Sequence, residues 1–110
     1  MKITISTVDE VMVLSVKGSI DSQTAPEFQT AILAQIETDN NLILDLRENE
    51  FISSAGLRVL LIVYRSSKIT SGKLVLVGAS EEIREVMHNT GCSKFFTFAD
   101  ILEEGIKIIK

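Results

Sequence analysis

Two stretches constrain the fold most: "NLILDL" at 41–46 and "KLVLV" at 73–77, both short and almost wholly apolar. A strand with one wet face alternates apolar and polar residues, because successive side chains point to opposite sides of the sheet. Runs without that alternation belong to strands covered on both faces, as in a parallel sheet flanked by helices. Parallel neighbours need a long crossover, usually helical, and segment 47–72 between the two runs supplies one.

The rest of the chain fits that frame. "KITISTV" and "VMVLSV" are rich in β-branched residues and separated by Asp9 and Glu10, which predicts an antiparallel hairpin. "GSIDSQT" then breaks the pattern. Thr24 and Glu27 have capping-box spacing, and Pro26 falls in a first turn, where its missing N–H is harmless. Phe28, Ile32, Leu33 and Ile36 follow at helical spacing, so a helix is expected near 24–38. A second is expected near 54–71, closed by Gly72. A third, near 81–89, has Ser80 as its cap, Ile83, Val86 and Met87 as its apolar stripe, and Gly91 at its left-handed end. "KFFTF" reads as an edge strand or extended segment, and Asp100 with Glu103 opens a last helix near 100–109 bearing Leu102, Ile106 and Ile109. The order predicts one α/β domain over 1–110, with a mixed, mostly parallel sheet of four or five strands and about four helices.

Several function classes drop out. A net charge of −4 offers no basic footprint for nucleic acid or anionic lipid. The apolar runs are too short to span a bilayer, and "MKITISTVDE" lacks the apolar core of a secretory leader. Cys92 stands alone, so an internal disulfide is impossible and a cytoplasmic location is expected. There is no phosphate-binding "GxxxxGK[ST]", no dinucleotide fingerprint, and one Cys with one His makes no zinc set; no cofactor or metal is expected. The clustered acidic residues of a phosphoaspartate receiver are absent, and Asp45 reads as a structural or strand-end carboxylate. Glu81, Glu82 and Glu85 read as a solvated helix face, Cys92 as a small buried residue.

Between the two apolar runs lies "FISSAGLRVLLIVY" at 51–64, which puts small residues just past a strand's carboxyl end and at a helix start. Ligands and chemistry collect at that place in open α/β sheets. Leu57, Leu60, Leu61 and Tyr64 form a core face, while Val59, Ile62 and Val63 add apolar surface beyond one stripe, so this helix is either deeply buried or partly covered by a partner. Ser53 or Ser54 can serve as N-cap. Either can also be a phosphoacceptor, since a phosphate there would meet unpaired N–H groups and the positive helix end. A catalytic serine is disfavoured: a nucleophile elbow needs glycine on both sides, and the lone His88 falls off its helix's apolar stripe and reads as solvated. No catalytic residue is assigned.

Across nearly its whole length the chain resembles a STAS domain, specifically a stand-alone bacterial anti-sigma factor antagonist. The resemblance is carried by the hairpin, "GSID" at 18–21, "LILDL" at 42–46, "FISSAGLRVLL" at 51–61, "KLVLVGAS" at 73–80 and "TGCSKFF" at 90–96. It implies a partner switch. The unphosphorylated antagonist binds an anti-sigma factor that is also a serine kinase, freeing the sigma factor; phosphorylation lowers that affinity, and a serine phosphatase reverses it. The family acceptor lies two positions before a glycine, which here is Ser54 before Gly56, with Ser53 as the alternative. Ala55 stands where a hydroxyl can occur, and Ser53 replaces the family's aspartate. Asp21 matches the family's acidic residue near the acceptor. The resemblance implies a contact surface of Asp21, Ser22, Ser53, Ser54, Ala55, Gly56 and Arg58 on a monomer that needs no nucleic acid or membrane. Alternatives in the same fold are a STAS module of another signalling, secretion-control or transporter system, and a small-ligand binder.

Overall fold

The computed structural model describes residues 1–38, 41–69 and 72–110. The chain opens with the expected hairpin, β1 (Lys2–Val8) and β2 (Val11–Ile20), paired antiparallel with Val8 opposite Val11. Asp9 and Glu10 make the two-residue turn, both at positive φ (49° and 69°), the handedness that matches strand twist. Then follow α1 (Ala25–Thr38), β3 (Leu42–Asp45), β4 (Asn49–Ile52), α2 (Ser54–Ile69), β5 (Leu74–Val77), α3 (Glu81–Asn89), a short 3₁₀ turn at Ser93–Phe95, β6 (Thr97–Ala99) and α4 (Leu102–Ile109).

The sheet runs β1-β2-β3-β5-β6, and every pair after the hairpin is parallel. The apolar runs are continuous because both faces are covered. Leu42, Leu44, Leu74 and Leu76 face the larger core with Phe28, Ile32, Leu60, Val63 and Met87 of α1, α2 and α3. Ile43, Val75 and Val77 face the other side, under Ile106 and Ile109 of α4. Fully burying each such side chain stabilises the fold by about 1.5–3 kcal/mol. Within α2, Val59 and Val63 are buried, so this chain itself covers much of the helix's broad apolar surface.

The described residues form six strands, against the four or five expected. The additional strand is β4, which lies off the main path beside the far end of β2: Gly18 faces Asn49, Ser19 faces Phe51 and Ile20 faces Ile52, with a bulge between Gly18 and Ser19. "NEFI" has a buried–exposed–exposed–buried pattern without strand alternation. Its polar first residue is buried because Asn49 Nδ2 donates to the Gly18 and Phe51 carbonyls, at 2.8 and 3.2 Å.

Helix ends follow the sequence in part. Ser80 Oγ accepts from the Ile83 N–H at 3.2 Å. At the other end of α3, Gly91 at φ 78° lets its own N–H reach the His88 carbonyl and the Cys92 N–H reach the Met87 carbonyl. The expected end of α2 at Ser71 lies outside the described residues. Two expected caps are replaced. The Thr24 hydroxyl turns back into the preceding loop, where it accepts from the Asp21 N–H at 2.8 Å. α4 starts at Leu102 with Ile101 as its cap and no side-chain capping bond. The Asp100 carboxylate is held instead by Arg84 at 3.0 Å, and Glu104, not Glu103, reaches the Asp100 N–H, at 3.5 Å.

Candidate functional site at the start of α2

β2 and β4 end together. The Ser53 N–H donates to the Ile20 carbonyl at 2.8 Å, so the chain leaves both strands side by side and the 21–24 loop starts next to the β4–α2 joint. The two serines of the joint then take different positions. Ser53 is half-buried and directly precedes α2; its carbonyl accepts from the Leu57 N–H at 2.9 Å and its Oγ from the Gly56 N–H at 3.3 Å. Those are the bonds of an N-cap. Ser54 is the first helical residue, is exposed, and its hydroxyl has no hydrogen bond among the described residues.

The small residues behind Ser54 have a packing reason. A Cβ on Gly56 would lie 2.8 Å from both Ile20 Cγ2 and Ile52 Cγ2, so only glycine lets α2 start this close to the ends of β2 and β4. Ala55 is half-buried. Arg58 is exposed one turn beyond Ser54, at the i+4 spacing that puts two helical side chains on one face.

The adjoining loop is closed on itself. Asp21 Oδ1 accepts from the N–H groups of Thr24 and Gln23, each at 2.9 Å. The Thr24 N–H above all holds the Asp21 carboxyl below the usual carboxylate range; partial desolvation opposes it, and the Gln23 N–H and Thr24 hydroxyl reinforce it. Asp21 is therefore a fixed negative charge, and Ser22 is exposed beside it. Strand register thus brings Asp21 and Ser22 to the joint that carries Ser53, Ser54, Ala55 and Gly56, with Arg58 further along the same helix.

A neighbouring feature escaped the sequence reading. Val86, expected in the buried stripe of α3, is 42% exposed, because Ile83 and Met87 alone fill the inward face. Phe51 on β4 is 53% exposed. Together they wall a groove of about 190 Å³ over Leu57 and Ile83, with Glu50 and Glu82 at its edge. An aromatic residue two positions before the serine pair was the available signal, but its outward direction depends on the bulged pairing of β4.

The other singled-out groups lie outside this site. Asp45 is buried and accepts from Arg47 Nε and Nη2, both at 2.9 Å, from the Arg47 N–H at 3.0 Å and from the Ser15 hydroxyl at 2.9 Å. Desolvation pushes its carboxyl up, but the Arg47 and Ser15 bonds outweigh that and hold it below the usual range. His88 is exposed and Cys92 buried, each as expected. Among the described residues no group of three or more His, Cys, Asp or Glu side chains could hold a metal.

Comparison with known proteins bears on the chain as a whole. A family model described as STAS domain matches residues 2–105. BtrV of Bordetella bronchiseptica, a provisionally assigned anti-sigma factor antagonist, is 31% identical over 100% of this chain and 96% of its own length. The anti-sigma-F factor antagonist RsfB of Mycobacterium tuberculosis is 33% identical over 94% of this chain and 85% of its own. The crystal structure of an anti-sigma factor antagonist from Mycobacterium paratuberculosis superposes with a TM-score of 0.88 at 30% identity, covering 98% of this chain and 92% of that one.

Proposed function

The chain belongs to the STAS domain family, and from that premise we propose that it is an anti-sigma factor antagonist working as a phosphorylation-controlled partner switch. The unphosphorylated protein binds an anti-sigma factor that is also a serine kinase, and so releases a sigma factor. The kinase transfers phosphate to Ser54, the complex weakens, and a serine phosphatase resets it. The antagonist is a monomeric substrate and surface in the cytoplasm, not an enzyme; ATP belongs to the kinase. Among its described residues no helix is long and apolar enough to cross a membrane.

One observation carries this reading: Ser53 spends its hydroxyl on the Gly56 N–H, while Ser54 is exposed with its hydroxyl unengaged. The joint separates a capping serine from an accepting one. A phosphate on Ser54 suits the helix start electrostatically, so the fold tolerates it. For a partner the same group is costly. It adds a charge of about −1.5 to −2 beside the fixed charge of Asp21, on a surface that small residues otherwise let a partner approach. Taking that charge out of water without a matched cation opposes association.

The test has two arms. After incubation with the anti-sigma factor kinase and ATP, peptide mass spectrometry should find one phosphate on Ser54, none in Ser54→Ala, and one still in Ser53→Ala. Phosphate confined to Ser53 would reassign the acceptor. In calorimetry, Ser54→Ala should bind like the wild type, and Ser54→Asp should lose about 1.4 kcal/mol or more, a factor of about ten. Equal affinity for the Ala, Asp and phosphorylated forms would refute the switch.

A further inference from the structure

Beside the serine joint, and outside the residues needed for phosphate transfer, lies the groove walled by Phe51 of β4 and Val86 of α3. Resting on the partner-switch reading, we infer that this groove seats one apolar side chain flanked by Lys or Arg on the anti-sigma factor, anchoring the kinase while it engages Ser54.

The apolar part of the argument is exposure. Phe51 and Val86 are 53% and 42% exposed although both sit on ordered elements, and the Leu57 and Ile83 beneath them are buried. The space between them, about 190 Å³, is a concavity with an apolar floor and walls. A side chain that fills such a pocket is fully desolvated there, and that is where binding energy concentrates.

The charged part is sign. Glu50 and Glu82 line the groove, and neither has an ion pair among the described residues. Arg84, the cation of α3, cannot neutralise them: its guanidinium is held by Asp100 at 3.0 Å and lies 4.9 Å from the Phe98 ring centre. The rim is therefore negative and uncompensated, which selects a cationic flank on whatever fills the groove.

Continuity supplies the partner. Leu57 lies one turn from Ser54 on α2, and Ile52 of the groove lining is bonded directly to Ser53. A protein surface large enough to present a kinase site to Ser54 overlies this groove. Because the groove is separate from the acceptor hydroxyl, it contributes equally to the phosphorylated and unphosphorylated complexes. It sets total affinity, whereas Ser54 sets the ratio between the two states.

The experiment uses the purified anti-sigma factor kinase that binds this protein, with phosphate transfer to Ser54 followed alongside. Its affinity is measured for wild type, Phe51→Ser, the pair Glu50→Lys with Glu82→Lys, and Ile108→Ser, an exposed apolar control near the start of β5, where its carbonyl meets Lys73. Phe51→Ser should weaken binding about tenfold. The charge-reversed pair should also bind less tightly and lose the salt dependence that wild type shows. Both losses should be the same for the phosphorylated and unphosphorylated forms, and Ile108→Ser should bind like wild type. Melting by circular dichroism confirms folding, and the charge reversal, confined to exposed side chains, keeps the test valid if Phe51→Ser unfolds. Unchanged affinity of the folded variants, with Ser54 still phosphorylated and Ser54→Asp still weak, would overturn the groove and leave the switch standing. No transfer to Ser54 would overturn both. A dimer in sedimentation that the charge reversal or Phe51→Ser dissolves would assign the groove to a second copy and also overturn the inference.

Discussion

Replacing each serine of the joint in turn should separate structure from signalling. In Ser53→Ala the Gly56 N–H loses its side-chain acceptor. Removing a serine N-cap costs about 0.5–2 kcal/mol. The bond here is 3.3 Å, longer than the usual amide–oxygen distance, which argues for the lower half of that range. Gly56 is buried, so its orphaned N–H pulls the other way. The two effects place the loss at about 1 kcal/mol. In Ser54→Ala no bond is lost, and alanine is the better helix former by up to roughly 0.5 kcal/mol, so stability should stay level or rise slightly. Urea denaturation of both variants at neutral pH should show midpoints moving apart with unchanged slope, and the melting temperature of Ser53→Ala should fall by about 4 °C. The phosphorylation readout should invert: Ser53→Ala accepts phosphate, Ser54→Ala does not. A Ser54→Ala variant as unstable as Ser53→Ala would refute the division of labour between the two hydroxyls.

Three further outcomes are expected. Gly56→Ala gains about 1 kcal/mol of helix propensity but drives a methyl to within 2.8 Å of Ile20 and Ile52; overpacking at about 1–3 kcal/mol should win, leaving a net loss near 1 kcal/mol by denaturation and slower phosphate acceptance. Asp45→Asn should lose about 1–2 kcal/mol at pH 7, discounted because the Arg47 side chain is 52% exposed. The folded Asp45 pKa is depressed, so its contribution is complete above the unfolded value of about 3.9 and is lost as pH falls through the folded value. Urea midpoints of wild type and variant should therefore converge in acid; a gap that persists there would contradict the assignment. Glu10→Gly should stabilise the hairpin by about 0.5–1 kcal/mol in thermal melts, because Glu10 at φ 69° carries left-handed strain that glycine lacks, less the freedom glycine adds to the unfolded chain.

How much was legible without coordinates follows from the range of each interaction. "LILD" and "LVLV" announce doubly covered parallel strands because burial on both faces removes polar residues locally. The helix stripes, Ser80 and Gly91 are equally local, each acting within one turn. By contrast, Asp100 meets Arg84, 16 residues away, rather than Glu103, whereas Thr24 takes an equally local alternative, bonding back to Asp21 instead of forward to Glu27. Strand β4 was invisible because its pairing, like that of Asp100, is long-range. Asn49 is buried only because the Gly18 carbonyl, 31 residues earlier, receives its amide, and that pairing turns Phe51 outward.

The site divides along the same line. By itself the sequence determined that a serine pair, a small residue and a glycine open a helix, since such punctuation is written in consecutive residues; the strand that directly precedes it, β4, it did not show. Only the tertiary structure decided which serine caps and which is exposed, because the Ser53 N–H is fixed by the Ile20 carbonyl of another strand. It alone also placed Asp21 beside the joint and Val86 of α3 across a groove from Phe51. Those are contacts between segments far apart in the chain, and their geometry comes from the shared sheet rather than from any local preference.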